Sequence, residues 1–302
     1  MKNIFSSFLF FGSFMIMKAQ TPLTMTTNEN YIQGNYQLLP SVGDVEIRYT
    51  SLFLNMQKSY RTDKLIFGLT YENIEYIFKD NKESYLFGSF ENSHLLSLSG
   101  TYVKSLKNNW NVHLQVVPQI SSTLKNTLQS NDVLVTGSIH FGKIWTSNLT
   151  TDNSKLIVGL NYDTLFGEPR LYPLISYSSY IRDDWEFTIG LPISSLNYTI
   201  NSRKNINFSI RPKSSYTNHS GTISLNEQHF YVNNKLEFSS LSLGLDYYMK
   251  FNDYWTTSFG IGYLPVTSLK VLDMDNTTIY DFDSADSISI NFGLKFNLNK
   301  NK

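Results

Sequence analysis

The sequence predicts an all-β protein that folds as a closed antiparallel transmembrane β-barrel of about 12 strands, with about 12–14 as the range. The first observation is segment 287–298, in which apolar and polar residues alternate without exception. Successive side chains on a strand point to opposite faces, so this segment is a strand with one apolar and one polar side. The second is that similar alternation returns along most of the chain. The third is an apolar N-terminus with the features of an export signal.

Alternating segments identify the individual strands. Many of them are ten or more residues long, which matches a tilted membrane-spanning strand better than a typical soluble one. The clearest candidates are 45–54, 65–74, 95–106, 110–121, 133–145, 156–162, 171–181, 185–200, 206–212, 236–249, 255–265 and 287–298, with 85–90 and 222–232 as weaker ones. No stretch shows the apolar spacing of a substantial helix.

A soluble β-sandwich also alternates, and a secreted sandwich acting as an adhesin is therefore an alternative. The polar faces argue against it, because they carry Ser, Asn, Gln, Gly and Thr rather than the Lys and Glu usual on a surface in water. Hydrocarbon offers no partner for backbone polar groups, so strands in a membrane must form a sheet that closes on itself.

The chain divides into three parts. Residues 1–20 carry Lys2, a long apolar run and a small residue at Ala19, and we expect them to be a cleaved signal peptide. Residues 21–43 are predicted to be a loose N-terminal lead, and residues 44–302 the barrel. We therefore expect export to the bacterial outer membrane, with outer-membrane lipids and the barrel-assembly machinery as partners. The sequence leaves the oligomeric state open.

The amino-acid composition argues against several classes of function. Charges balance, with 25 basic and 25 acidic residues, which gives no electrostatic argument for binding nucleic acid. There is no Cys, so disulfides do not stabilise the exported chain. Aromatic residues make up 15%, as expected for a barrel with aromatic girdles. We find no cofactor motif, and we expect no cofactor.

Tryptophan follows a recurring turn pattern. In 102–110, 180–185 and 247–255, an aromatic strand end passes through a basic residue and an Asn/Asp pair into Trp. Asn and Asp suit tight turns, and Trp suits the membrane–water interface. We expect these turns to be periplasmic and their tryptophans, Trp110, Trp185 and Trp255, to form an interface girdle.

Two sets of residues are weak candidates for chemistry. If strand 110–121 pairs with strand 133–145 so that Ser121 lies opposite Asp132, His113 lies opposite His140, with Ser138 diagonally adjacent. Ser beside His is the minimum for nucleophilic catalysis, so a lipase-like outer-membrane hydrolase is an alternative function, although a polar network without chemistry is favoured. A second set, in the last long loop, has carboxylates that suit Ca²⁺, but a solvated loop is favoured there: Asp273, Asp275, Asp281 and Asp283.

The chain resembles a family of outer-membrane barrels of unknown function common in Bacteroidetes. The resemblance rests on Ala19-Gln20, on segment 180–198 and on segment 243–248, and it covers most of the chain after the signal. It implies the barrel architecture and brings no known activity. The leading expectation is therefore a protein that is not an enzyme, either a passive narrow pore for small solutes or a structural, surface-display barrel.

Overall fold

The computed structural model describes residues 30–146, 153–226 and 229–298. These residues form fifteen strands: β1 (Tyr31–Val42), β2 (Val45–Tyr60), β3 (Asp63–Phe78), β4 (Asn92–Ser105), β5 (Trp110–Ser122), β6 (Val133–Thr146), β7 (Asn153–Asp163), β8 (Arg170–Arg182), β9 (Trp185–Leu191), β10 (Ser194–Asn201), β11 (Lys204–Asn226), β12 (His229–Lys250), β13 (Trp255–Leu272), β14 (Thr278–Asp281) and β15 (Ser287–Asn297). A helix, α1 (Asn81–Phe87), follows β3.

Fourteen of these strands form one closed antiparallel wall. Each strand from β1 to β12 pairs with the next, and β15 lies between β13 and β1 and so completes the ring. The remaining strand, β14, pairs only with the outer end of β13. The predicted closed barrel is confirmed, with fourteen strands rather than about twelve. The β-sandwich alternative is wrong, because the sheet closes on itself.

The segment predicted as an N-terminal lead contains the first strand. Within residues 21–43, β1 pairs with β15 on one side and with β2 on the other, so it is the strand that closes the barrel. Its outward face includes Gly34 and Pro40, which interrupt the alternation of apolar and polar residues. For this reason the alternation did not predict the strand. The proposed signal peptide lies outside the described residues.

Three other predicted segments take different forms. Segment 185–200 is two short strands, β9 and β10, joined at Pro192, which has no N–H for the sheet ladder. Segment 85–90 is helical rather than extended, and α1 begins where the Asp80 carboxylate accepts hydrogen bonds from the amides of Lys82 and Glu83. In segment 222–232, residues 222–226 belong to β11 and residues 229–232 to β12, and these two long strands pair with each other.

The barrel wall is apolar outside and polar inside. On β15 the exposed fraction of Phe292 is 52%, whereas that of its neighbour Asn291 is 7%. The same alternation on the other strands forms an outward belt of Leu, Ile, Val, Phe and Tyr, which suits hydrocarbon. No helix in the described part of the chain has the length and hydropathy needed to cross a membrane.

The two ends of the barrel differ. One end, here called the inner end, carries the ends of β1 and β15 and short turns such as residues 183–184 and 202–203. All three Asn/Asp–Trp turns lie there. The other end, here called the outer end, carries α1, β14 and the long β11–β12 hairpin. Short turns are typical of the periplasmic end of bacterial barrels, so the orientation with the outer end outside the cell stays a prediction.

Candidate functional site

The predicted register of β5 and β6 is confirmed. His113 pairs with His140 across the two strands, and their rings stack inside the barrel with centroids 4.4 Å apart and planes inclined by 21°. His113 Nε2 donates to Asn111 Oδ1 over 2.9 Å. Gly159 on β7 lies so close to the Ile139 carbonyl and to Cα and Cβ of His140 that a Cβ there has no space.

Ser138 lies diagonally from His113, as the register requires, but it makes no hydrogen bond to either histidine. Among the described residues, Ser138 Oγ and His140 Nδ1 are both buried without a hydrogen-bond partner. The proton transfer that would activate the hydroxyl therefore has no path in this arrangement. The geometry supports a stacked pair rather than a nucleophile and its base.

The four aspartates considered for Ca²⁺ mainly organise the last outer loop. The Asp273 carboxylate accepts hydrogen bonds from the amides of Asp275 and Thr277. The Asp281 carboxylate accepts from the amide of Asp283 and lies 3.5 Å from the ammonium of Lys270. No group of three possible metal-ligating side chains is brought together within the described ranges.

Each of the three predicted girdle tryptophans occupies the first position of its strand at the inner end. Trp110 and Trp255 are each 39% exposed on the outward face. Trp185 stacks on Tyr198, with ring centroids 4.6 Å apart. Trp145, near the end of β6, lies at the same end and was not included in the predicted girdle.

The feature that sequence reasoning missed is at the outer end, where β11 leaves the wall. Its partner β10 follows it only from Lys204 to Ile210, whereas β11 continues to Asn226. We call residues 211–226 and 229–240 the outer hairpin. It bends over the barrel mouth, and Asn218 pairs in parallel with Ser122 of β5, six places from β11 in the fourteen-strand ring.

A set of polar contacts, here called the latch, joins the outer hairpin to β5 and to the turn before β6. The Ser121 hydroxyl donates to the carbonyl of Tyr216 over 2.6 Å, and the Thr123 amide donates to the carbonyl of Asn218 over 3.1 Å. These bonds satisfy the edge of β11 that β10 leaves unpaired. The hairpin therefore has a defined seat on β5.

Asp132 is at the centre of the latch, and it is only 1% exposed. Its carboxylate accepts from Asn218 Nδ2 at 2.8 Å, from Ser220 Oγ at 2.9 Å and from the amide of Gln129 at 2.7 Å. Burial acts to raise the pKa of Asp132, but these hydrogen bonds outweigh it and hold the pKa below its ordinary value. Asp132 is therefore a buried carboxylate with several donors.

His219 completes the latch beside Asp132. Its Nδ1 and the Thr123 hydroxyl share a hydrogen bond of 2.9 Å, and its ring contacts Phe90 edge to face with centroids 5.4 Å apart. Burial lowers the pKa of His219; Lys125 lowers it further, whereas Asp132 raises it. The imidazole is therefore held in its neutral form.

The outer hairpin also contacts two other parts of the mouth. Lys213 Nζ donates to Gln37 Oε1 on β1, and the Ser215 and Tyr76 hydroxyls share a hydrogen bond of 2.8 Å. On the opposite side, the Glu237 carboxylate accepts from the amide of Glu168, in the loop between β7 and β8, over 2.9 Å. The hairpin thus has partners on both sides of the mouth.

An apolar cluster, here called the outer core, lies beneath these contacts. The inward face of the wall, which is polar at the level of the belt, becomes apolar at the outer end. For example, inward Thr70 and Glu72 on β3 give way to inward Ile74, Tyr76 and Phe78. The buried members are Leu39, Val42, Val45, Ile47, Tyr49, Ile74, Tyr76, Phe78, Phe87, Phe90, Ile223, Leu236, Phe238, Leu264, Leu269, Val271 and Phe282.

Comparison with a family model decides the family. The model described as a domain of unknown function, DUF6268, matches residues 44–300. The chain belongs to the DUF6268 family. This confirms a family of unknown function, while the expected occurrence in Bacteroidetes stays a prediction. No curated protein matches this member of the DUF6268 family.

Three solved structures illustrate what this DUF6268 chain is similar to. The NanC porin is 9% identical, with a TM-score of 0.40, over 89% of this chain and 100% of that one. LpxR from Salmonella typhimurium is 8% identical, with a TM-score of 0.39, and the match covers 88% of this chain and 99% of LpxR. The Pseudomonas putida toluene transporter TodX is 8% identical, with a TM-score of 0.37, and the match covers 92% of this chain and 90% of TodX. Likenesses this weak carry no argument about function.

Proposed function

We propose that this chain is an outer-membrane β-barrel with a structural or surface-display role, and that its outer hairpin closes the lumen to passive diffusion. The single observation that carries the proposal is the pairing of Asn218 with Ser122 across the barrel mouth. A hairpin seated on both β5 and the β1–β3 side obstructs the path that a solute would take.

The location in the outer membrane is supported by the belt. Outward apolar side chains surround the barrel, and a closed ring leaves no strand edge unpaired in hydrocarbon. The apolar N-terminal run of the sequence supports export. Outer-membrane lipids and the assembly machinery remain the proposed partners.

Closure is supported at two levels. At the outer end the core replaces a polar passage with packed Leu, Ile, Val and Phe. At the level of the belt the inward polar side chains bury one another, since Gln33 is 4%, Asn161 2% and Ser289 1% exposed. These side chains narrow the passage, and the outer hairpin is the barrier that covers it.

A passive narrow pore is the second candidate. The observation that favours it is the polar lining itself, which includes Asn35, Asn291 and the ion pair of Arg211 with Asp246 at 3.3 Å. Such a lining is suited to hydrated solutes rather than to a dry core. For conduction, the outer hairpin would have to leave its seat.

Conductance in a planar bilayer separates the two candidates. We expect the purified wild-type barrel to give no steady current and Asp132→Ala to give openings, because the substitution leaves Asn218 and Ser220 without their buried acceptor. The loss should weaken the latch by about 3 kcal/mol. A steady current through the wild type would reject closure.

The matched control is Asp273→Ala. It also removes an outer-loop carboxylate that accepts backbone amides, but outside the latch. We expect this variant to stay as silent as the wild type. Equal openings in both variants would show that loss of outer-loop structure in general, rather than the latch, controls the current.

A further inference from the structure

We propose that Trp110, Lys143 and Trp145 form a binding site for the anionic headgroup of a phospholipid in the inner, periplasmic leaflet. Trp110 on β5 pairs directly with Lys143 on β6, and Trp145 follows two positions later on the same face. The ammonium of Lys143 lies 5.6 Å from the ring centroid of Trp110 and 6.0 Å from that of Trp145. The two rings therefore hold the ammonium between them.

In the described part of the chain, the charge of Lys143 has no acidic partner. Its ammonium donates to the carbonyl of Asn108 in the β4–β5 turn. Among the described residues, no carboxylate forms an ion pair with it. An ammonium has three donors, so donors remain for a phosphate oxygen.

The site faces lipid at the level of the headgroups. Trp110 and Trp145 are 39% and 45% exposed, and both lie at the inner edge of the apolar belt, next to Leu114 and Phe141. Trp and Lys at this position are suited to the membrane interface, with their apolar parts in the acyl region. A phospholipid packed on the belt would therefore bring its phosphate to Lys143.

The charge around the site favours an anionic lipid. At the inner end, basic side chains outnumber acidic ones among the described residues. Leaving out the side chains that point into the lumen, the basic ones are Lys58, Arg61, Lys104, Lys107, Lys143, Arg182, Arg203, Lys204 and Lys250, and the acidic ones are Asp63, Asp183, Asp184 and Asp253. Such an excess attracts lipids with a net negative headgroup.

The test compares the full-length barrel in vesicles of phosphatidylcholine alone with vesicles that also contain phosphatidylglycerol. We expect phosphatidylglycerol to raise the unfolding temperature of the wild type. Lys143→Gln should lose most of this rise and bind phosphatidylglycerol about fivefold more weakly by native mass spectrometry. Lys143→Arg, which keeps the charge, should retain the rise.

The control is Lys58→Gln. Lys58 is also an exposed lysine on the outward face at the inner end, but it has no ring contact within the described ranges. Lys58→Gln should leave the effect of phosphatidylglycerol unchanged. If both variants lose the stabilisation by phosphatidylglycerol equally, the effect comes from the general positive charge of the inner end and the specific site is rejected. If neither variant loses it, the site is also rejected.

Two further arms keep the proposal falsifiable. If Lys143→Gln does not insert, Trp145→Leu removes one ring and keeps the charge, and it should also weaken phosphatidylglycerol binding; full binding by this variant would overturn the site. Inorganic phosphate is added to the detergent-solubilised barrel in the other arm. A rise in unfolding temperature equal to that from the lipid would show a free-phosphate site and reject the lipid assignment.

Discussion

The direction of each side chain determines what a substitution costs in this barrel. Phe292 and Phe230 are both exposed phenylalanines, at 52% and 64%, yet they have different surroundings. Phe292 lies in the belt, directly opposite Tyr36 of β1, whereas Phe230 lies near the tip of the outer hairpin, beyond the belt. Exposure by itself does not distinguish lipid from water, but position along the strand does.

Phe292→Arg is expected to block insertion into bilayers, because an arginine facing lipid near the midplane costs about 2–4 kcal/mol. Phe230→Arg is expected to insert normally, because its side chain faces water. Heat-modifiable gel mobility after refolding into vesicles measures both. The assignment of the belt is wrong if the two variants insert equally well.

The stacked histidines give a residue-level test of the register. With His113→Cys and His140→Cys combined, we expect a disulfide on oxidation, because directly opposed residues can bring their Cα atoms within about 7 Å. Non-reducing mass mapping detects it. The control pair, Gln115→Cys with His140→Cys, is diagonal and should not crosslink. Crosslinking of the control alone would place β6 in another register.

At the scale of the element, the sequence predicted most of the wall but not its closure at the outer end. Alternation was sufficient for strands such as β15 and for the β5–β6 register. It failed for β1, whose outward face is interrupted by Gly34 and Pro40, and for α1, whose seven residues are too few to show helical periodicity.

A signal for the outer core was present in the pattern. On β2, apolar residues occupy odd positions at Val45 and Ile47 but even positions at Leu52 and Met56. The first pair points inward into the core and the second points outward to lipid. A change in the phase of alternation within one strand therefore marks where the wall leaves the membrane. The β5–β11 pairing left no such signal, because it depends on contacts far apart in sequence.

The latch should weaken in acid. The folded state holds His219 neutral, so the released hairpin binds more protons below the ordinary histidine pKa of about 6.5. The stabilisation is therefore present above that pH and is lost as the pH falls. Lys125 opposes the protonation and Asp132 favours it. Protection of the Thr123 amide against hydrogen exchange should decrease between neutral pH and about pH 5.5.

His219→Gln keeps a polar side chain without titration, so its protection should not depend on pH. His94→Gln is the control. His94 lies opposite Ser122, but its side chain hydrogen-bonds Tyr71 and Asn73 on the outward face of the wall rather than the hairpin, and this variant should behave as the wild type. A pH dependence that survives in His219→Gln would assign the effect to another group.

At the scale of the whole molecule, the barrel combines a polar interior at membrane level with an apolar outer core. The wall alone would enclose a passage, since fourteen strands exceed the number whose lumen side chains readily fill. The outer hairpin covers this passage, because it crosses the mouth to β5 and packs over the outer core. The proposed closed state of the molecule therefore depends on the long-range contacts of the outer hairpin, of which the pairing with β5 is the central one.

The most direct test of that contact is a disulfide across the mouth. The double variant Ser122→Cys with Asn218→Cys should crosslink on oxidation in barrels already inserted in vesicles, because these residues pair in parallel on β5 and β11. The double variant His113→Cys with His140→Cys, inserted and oxidised in the same way, reports correct folding of the wall. We predict that both pairs crosslink. Crosslinking of 113 to 140 without crosslinking of 122 to 218 would show a folded barrel with an open mouth and would contradict the account.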